Sequence, residues 1–167
     1  MQRAGIQEEM EQARLDFHEL LKCASAEDLR RRTTGTRWTN RQLLFHMVFG
    51  YLIVRSLMPL VHTLGRLGWS RRFAALLNSL RRPFHLINYL GSVGGGQLLT
   101  PAAMARLMDR TLRALQRTFA VETAASLNLI LPFPPAWDPY FQPTMSVLDV
   151  YHYGTQHFDH HKRQLTL

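Results

Sequence analysis

Cysteine and lysine are nearly absent from this 167-residue chain. The single cysteine, Cys23, excludes an internal disulfide framework and any zinc finger built on several thiolates. Lysine occurs only as Lys22 and Lys162, so the 20 basic side chains are almost all arginine; with 12 acidic ones they give a formal charge of +8. One thiol is compatible with a reducing compartment, and we expect a cytoplasmic protein.

The sequence of the first twenty residues also lacks the pattern of a targeting signal. The first twenty residues contain no continuous apolar stretch followed by a small-residue cleavage site, so we expect no secretory leader. The most apolar window, 43–61, is long enough to span a bilayer but includes His46 and Arg55, which would be costly at its centre. We therefore interpret the window as a long buried helix of a soluble protein.

No segment alternates apolar and polar residues over the length of a convincing strand, so we predict an all-α protein. Apolar residues at helical spacing predict a first helix over roughly 5–24. The second helix has a complete start signal, because Thr39 and Gln42 can form a capping box while Trp38 and Leu43 stand where a hydrophobic staple belongs. It continues through the apolar window.

Two further helices begin at recognisable caps. Thr100 is followed by Pro101, a proline at the first helical position, and apolar spacing continues to about residue 119. Ser146 and Asp149 predict the start of a last helix that extends towards the C-terminus. Because four helices of this length can bury a shared core, we predict one domain, 1–167, built as a four-helix bundle.

Two long connections join these helices. Residues 66–99 combine arginine pairs with apolar side chains, and we predict an additional helical segment there, between the second and third main helices. It could act as a lid, form a homodimer contact or lie on an anionic membrane surface. Residues 120–144 contain five prolines and several aromatic residues, which predicts a rigid loop over one end of the bundle. The apolar residues of the first connection include Trp69, Phe73, Leu76, Leu77 and Leu80.

Histidines supply the strongest functional signal. On the last helix, His157 and His161 lie on one edge of the apolar stripe at a spacing of i and i+4, whereas His160 points towards the polar side. Two imidazoles at this spacing can bind one metal ion. The other interpretation of the cluster is a solvated helix end, where cationic side chains are favourable.

A third histidine occupies a similar position on the second helix. His46 lies on the edge of that helix's apolar stripe and could be either a metal ligand or a hydrogen-bonded core residue. Gly50 follows it by one turn, and Gly154 precedes His157 by about one turn. Because glycine destabilises a helix interior by about 1 kcal/mol relative to alanine, each leaves room either for a metal-bound ligand or for close helix packing.

These residues carry a family resemblance. Trp38-Thr39 followed by Leu43-Leu44-Phe45-His46, and the segment His157-Phe158-Asp159-His160-His161-Lys162-Arg163-Gln164-Leu165, resemble the two motifs of the DinB-like superfamily. This superfamily contains metal-binding four-helix bundles, among them bacillithiol- and mycothiol-dependent S-transferases. Two features depart from the pattern: Arg163 stands where the family often has glycine, and the 66–99 connection is longer than usual.

The resemblance implies a three-histidine site formed by His46, His157 and His161, with Zn²⁺ or Ni²⁺ as the ion and a low-molecular-weight thiol as cosubstrate. It implies a metal-dependent thiol S-transferase or hydrolase acting on a small molecule; a non-catalytic metal-binding or sensing bundle is the alternative. Spacing identifies no catalytic acid or base, and the candidate catalytic residues are Tyr153 and Gln164. Asp16 and Glu9 on the first helix could also approach the site, although we favour a structural or solvated role for each.

Arginine-rich surfaces raise other possibilities. A stripe on the third main helix is positioned as a solvated face, and although arginines can contact phosphates, no nucleic-acid-binding motif accompanies it. We therefore expect no nucleic-acid partner, and we rank membrane contact through 66–99 below a lid or a dimer contact. The stripe consists of Arg106, Arg110, Arg113 and Arg117.

Overall fold

The computed structural model describes residues 3–66, 79 and 81–167, and the chain is all-α, as predicted. The apolar residues predicted around Trp69 and Phe73, with Leu76, Leu77 and Leu80, lie outside the described residues. The helices are α1 (Arg3–Cys23), α2 (Asn40–Arg66), α3 (Arg81–Leu98), α4 (Pro101–Ala120), α5 (Ala124–Leu127) and α6 (Val147–Lys162), with a 3-10 turn at Asp28–Arg30.

The capping interactions predicted from the sequence are present at the starts of α2, α4 and α6. The Thr39 backbone N–H donates to Gln42 Oε1 (3.0 Å), and Gln42 N–H donates to Thr39 Oγ1 (3.4 Å), which is the expected capping box. Ser146 and Asp149 form a reciprocal box at the start of α6. Thr100 Oγ1 accepts the N–H of the third residue of α4 at 3.2 Å. These caps satisfy backbone donors that the helices leave free.

Helix α2 is the centre of the bundle. It packs against α3, α4 and α6, while α1 packs against α4 and α6. Within the described part of the chain, α2 alone is long and apolar enough to cross a membrane, but 56% of its most apolar window is buried inside the protein. That burial agrees with our interpretation of a core helix. The largest fully buried side chains are Tyr51, Tyr151, Phe17, Phe119 and Phe158.

The proline-rich connection contains a strand pair that we did not predict. Strands β1 (Ile130–Pro132) and β2 (Thr144–Ser146) pair antiparallel, with Leu131 opposite Met145. Three residues are too few to produce a recognisable alternation, which is why the sequence pattern contains no strand signal. The pair closes a loop over residues 133–143, and this loop lies against one end of the predicted site.

The predicted additional helical segment is confirmed over α3, which contains three consecutive glycines. Gly94, Gly95 and Gly96 lie inside the helix, where the last two allow α3 to approach α2 closely. A Cβ at Gly95 would lie 2.2 Å from Phe45 Cε1, and one at Gly96 would lie 2.7 Å from Gln42 Cα. Gly95 and Gly96 therefore form a contact surface that holds α3 beside α2.

Alanine substitutions in this triplet should separate close contact from helix propensity. We expect Gly96→Ala to lower the free energy of unfolding by ~1–3 kcal/mol, because the backbone of α2 cannot move aside cheaply. Gly94→Ala is the matched control: no described atom lies within 4 Å of its Cβ position, and we expect a gain of about 0.5–1 kcal/mol. Urea unfolding of the three proteins measures both, and equal effects of the two substitutions would contradict the packing of α3.

Candidate metal centre

Helices α2 and α6 bring the three predicted histidines together inside the bundle. His46, His157 and His161 are 3%, 4% and 9% exposed. His46 Nε2 lies 3.1 Å from the Nε2 atoms of both His157 and His161. One ligand atom from each ring lies within 4.8 Å of the others, a grouping that could hold a metal ion. Residues more than a hundred positions apart in the chain thus form one cluster.

Hydrogen bonds on the far side of two rings determine where their protons are. The Ser92 hydroxyl donates to the Asn88 carbonyl (2.7 Å), so its oxygen accepts a hydrogen from His46 Nδ1 at 3.0 Å. His161 Nδ1 donates to the amide oxygen of Gln164 at 2.6 Å. In a neutral imidazole only one nitrogen carries a hydrogen, so both Nε2 atoms present lone pairs. Such partners orient metal-binding histidines in known sites.

Two lone pairs that face each other at 3.1 Å repel, and a cation between them removes the repulsion. Tetrahedral zinc at its usual Zn–N distance would place two ring nitrogens ~3.3–3.4 Å apart, close to the separation here. A proton does not serve this purpose near neutral pH. Burial holds the pKa of His46 and of His157 well below the ordinary value, and it lowers the pKa of His161 to about 4. The donor set therefore fits a divalent ion.

Gly50 and Gly154 make room for rings of the protein itself. A Cβ at Gly50 would lie 2.5 Å from His157 Nδ1, and one at Gly154 would lie 2.7 Å from Tyr51 Cε1. The geometry favours close helix packing over space for a bound ligand at both positions. His157 Nδ1 itself is buried and has no hydrogen-bond partner among the described residues. Its ring is thus positioned by packing against α2.

The loop between the strands adds a carboxylate that sequence reasoning missed. Asp138 Oδ2 lies 3.9 Å from His157 Nε2 and accepts a hydrogen bond of 3.0 Å from the Tyr153 hydroxyl. The Tyr140 backbone N–H donates to the other carboxylate oxygen at 2.9 Å. Asp138 is the only acidic residue between Glu122 and Asp149 in the sequence. This isolated position is the one sequence feature that could have indicated a functional role for it.

Tyr153, one of the two predicted candidates, is buried beside His157 with ring centroids 5.7 Å apart. Burial and the neighbouring Asp138 carboxylate raise the pKa of Tyr153 well above its ordinary value. The phenol consequently stays protonated and donates to Asp138, which makes it a positioning group for the carboxylate. Gln164, the other candidate, lies on the opposite side of the cluster and holds His161.

A small cavity lies between the loop and the cluster. Its volume is about 20 Å³, and its lining includes His46, Gly50, Asp138, Tyr153 and His157. That volume holds about one water molecule. A small donor atom placed here would lie against His46, His157 and the Asp138 carboxylate together.

The other residues that the sequence analysis considered lie outside the histidine cluster. Asp16 forms an ion pair with Lys162, and Glu9 Oε2 lies 2.8 Å from His152 Nδ1; both pairs join α1 to α6 outside the site. His160 is half-buried with its Nδ1 3.4 Å from the Tyr140 hydroxyl. The predicted arginine stripe on α4 is exposed, as expected for a solvated face.

Comparison with known proteins gives a family match. A family model described as the DinB superfamily matches residues 9–165, which is almost the whole chain. No curated protein and no solved structure shows a significant match. The matched range includes both histidine motifs and the loop that carries Asp138.

Proposed function

Since this chain belongs to the DinB superfamily, we propose that His46, His157 and His161 hold a divalent ion, zinc or nickel, in a metal-dependent thiol transferase or hydrolase. The observation that carries the proposal is the pair of opposed, unprotonated Nε2 atoms on His46 and His161. Their Nδ1 hydrogens are engaged by Ser92 and Gln164, so the lone pairs are available to a cation. We further propose a cytoplasmic location and a small-molecule substrate.

Three neutral imidazoles leave the ion's charge uncompensated and at least one coordination position open, as in catalytic rather than closed structural sites. When bound, such an ion lowers the pKa of a water or thiol and so supplies a nucleophile at neutral pH. The Asp138 carboxylate is positioned to accept the proton released, since it lies 3.9 Å from His157 Nε2 at the edge of the small cavity. Tyr153 holds that carboxylate by donating to it.

One observation favours the second candidate, a metal-binding or sensing bundle without turnover. The cavity next to the histidines has a volume of only about 20 Å³, which is far smaller than the several hundred Å³ of typical ligand pockets. A protein that only binds the ion needs no more space than this. Turnover instead requires that substrate reach the ion when the 133–143 loop moves or from the side of His161.

The test combines metal content with activity. We expect protein purified without a polyhistidine tag to contain one ion per chain, and His46→Ala and His161→Ala to contain none. His160→Ala is the matched control on the same helix and should retain the ion, because its ring is not part of the cluster. Mass-spectrometric metal analysis of all four proteins gives the answer, and unchanged stoichiometry in both alanine variants would contradict the site.

Activity is measured with an aryl halide electrophile, with and without low-molecular-weight thiols, and with ester substrates for hydrolysis. We expect Asp138→Asn to lower the turnover rate by ~10²–10⁴-fold without loss of metal, the range typical of a general base. Metal binding without any turnover would favour the sensing protein. Full activity of the Asp138→Asn variant would remove the carboxylate from the proposed reaction.

A further inference from the structure

An open groove of about 370 Å³ lies on the other side of the histidine cluster. Its lining includes Arg37, Trp38, Tyr89, His160, His161 and Gln164, and it shares no lining residue with the small cavity under the loop. We call it the Arg37 groove. It is large enough for an organic molecule, and it reaches a proposed metal ligand, His161, from the solvent side.

The charge of the Arg37 groove is positive. Arg37 is exposed, and its guanidinium has no carboxylate partner among the described residues. No acidic side chain is found in the lining among the residues that the structure describes. Two more guanidinium groups lie near its edges: Arg32 donates to the Arg37 carbonyl, and Arg163 donates to the Tyr140 hydroxyl beside His160. An anionic group would therefore be attracted to this opening.

One wall of the groove is aromatic. The rings of Trp38 and Tyr89 are nearly parallel, with an interplanar angle of 19° and centroids 6.3 Å apart. Trp38 also packs on His46, with centroids 4.4 Å apart, so the indole joins the groove to the metal-binding cluster. Its Nε1 atom is buried and has no acceptor among the described residues. The wall thus presents an apolar surface to the groove.

The segment that carries Arg37 is held in place rather than free. The Thr34 N–H donates to the Gln164 carbonyl at 2.9 Å, and the Thr33 N–H donates to the Trp38 carbonyl at 3.1 Å. Gly35 adopts a φ of 76°, in the left-handed region that glycine tolerates best, and this lets the chain turn tightly between those bonds. The backbone of Arg37 is consequently fixed next to the end of α6, so its side chain starts from a defined point at the groove.

We propose that the Arg37 groove binds a planar organic acid: its carboxylate pairs with Arg37 and its flat face lies on Trp38 and Tyr89. This deepens the proposed function and rests on it, since the bound acid would lie beside His161 and the ion. A guanidinium pairs with a carboxylate in a bidentate geometry. Among the described residues, Arg37 is the one arginine in the lining, and it matches a singly charged carboxylate better than a doubly charged phosphate.

The experiment compares naphthalene-2-carboxylate with its uncharged amide by calorimetric titration of the full chain. We expect the carboxylate to bind about tenfold more tightly, and Arg37→Gln to remove that preference. Arg106→Gln is the matched control, because it removes an exposed arginine from α4 and leaves the groove intact. Thermal unfolding of each variant shows that the fold is retained. Equal binding of the two compounds, or an unchanged preference in Arg37→Gln, would overturn the proposal.

The titration is performed on both zinc-loaded and chelator-treated protein, which separates the two proposals. A preference that depends on Arg37 in the zinc-free protein supports the groove even if the chain binds no metal. Metal binding without discrimination between carboxylate and amide leaves the metal site in place and refutes the groove. A preference that vanishes with the zinc assigns the carboxylate to the ion instead of to Arg37 and also refutes it.

Discussion

The zinc affinity of the folded protein is expected to change less than about threefold between pH 7.5 and pH 5.5. Burial lowers the pKa of His161 to about 4 and holds the pKa values of His46 and His157 well below the ordinary value. All three rings therefore remain unprotonated in the folded state over this range. Protons therefore do not compete with the ion for the three rings, and binding releases no proton from them.

An exposed site with the same three ligands would behave differently. At an ordinary histidine pKa of about 6.5, roughly one ring in eleven is unprotonated at pH 5.5, so three independent ligands lose ~10³-fold in affinity. Competition with a chromophoric chelator at both pH values measures the difference. A peptide of residues 153–167 is the unfolded control, since it carries three exposed histidines, His157, His160 and His161, without the fold. A parallel loss of affinity in protein and peptide would contradict the buried, unprotonated site.

The same lowered pKa values make the folding stability of the metal-free protein depend on pH. The unfolded chain takes up protons below about pH 6.5, whereas the folded cluster does not until the lowered pKa values are reached, so the unfolded state binds more protons in this window. Folding stability is thus unaffected by these groups above pH 6.5. Below it, stability falls by up to ~1.4 kcal/mol per pH unit for each buried histidine. His46→Ala should give a shallower slope in the same unfolding measurement.

Local sequence signals determined the helix ends and the proposed ligands. The caps at Thr39, Thr100 and Ser146 depend on residues within three positions of each other, and such signals are complete in the sequence. Helical periodicity alone places His157 and His161 together on the inward edge of their helix. His46 could be placed on the same inward edge of its own helix, and the family motif supplied its pairing with the other two.

The supporting residues could not be predicted in this way. Ser92 lies on a helix whose packing depends on close approach at Gly95 and Gly96, and no spacing rule connects it to His46. Asp138 lies in an irregular loop that a three-residue strand pair brings back over the bundle. Both contacts are set by tertiary packing, which periodicity does not record. The same reason explains why the sequence does not reveal that Gly95 and Gly96 form a helix interface in the fold.

Gly50 on α2 lies directly against the ring of His157, so a substitution there should have a large effect on metal binding. We expect Gly50→Ala to weaken zinc binding by at least ~10-fold, which is the scale seen when the residues that orient metal ligands are changed. The new Cβ would lie 2.5 Å from His157 Nδ1 and 2.7 Å from Cε1, so the ring must leave its place beside His46. The His157 Nε2 atom then no longer faces the other two nitrogens, and a site of three ligands becomes a site of two.

Gly154→Ala is the matched control for this substitution. It also introduces an overlapping contact between α2 and α6, but with the ring of Tyr51 (2.7 Å to Cε1) instead of a proposed ligand. Overpacking typically costs ~1–3 kcal/mol, and we expect both variants to lose stability on this scale in denaturant unfolding. Only Gly50→Ala should also lose zinc affinity in the chelator competition. If both variants lost affinity equally, the effect would come from general loosening of the two helices, and His157 would have no special dependence on Gly50.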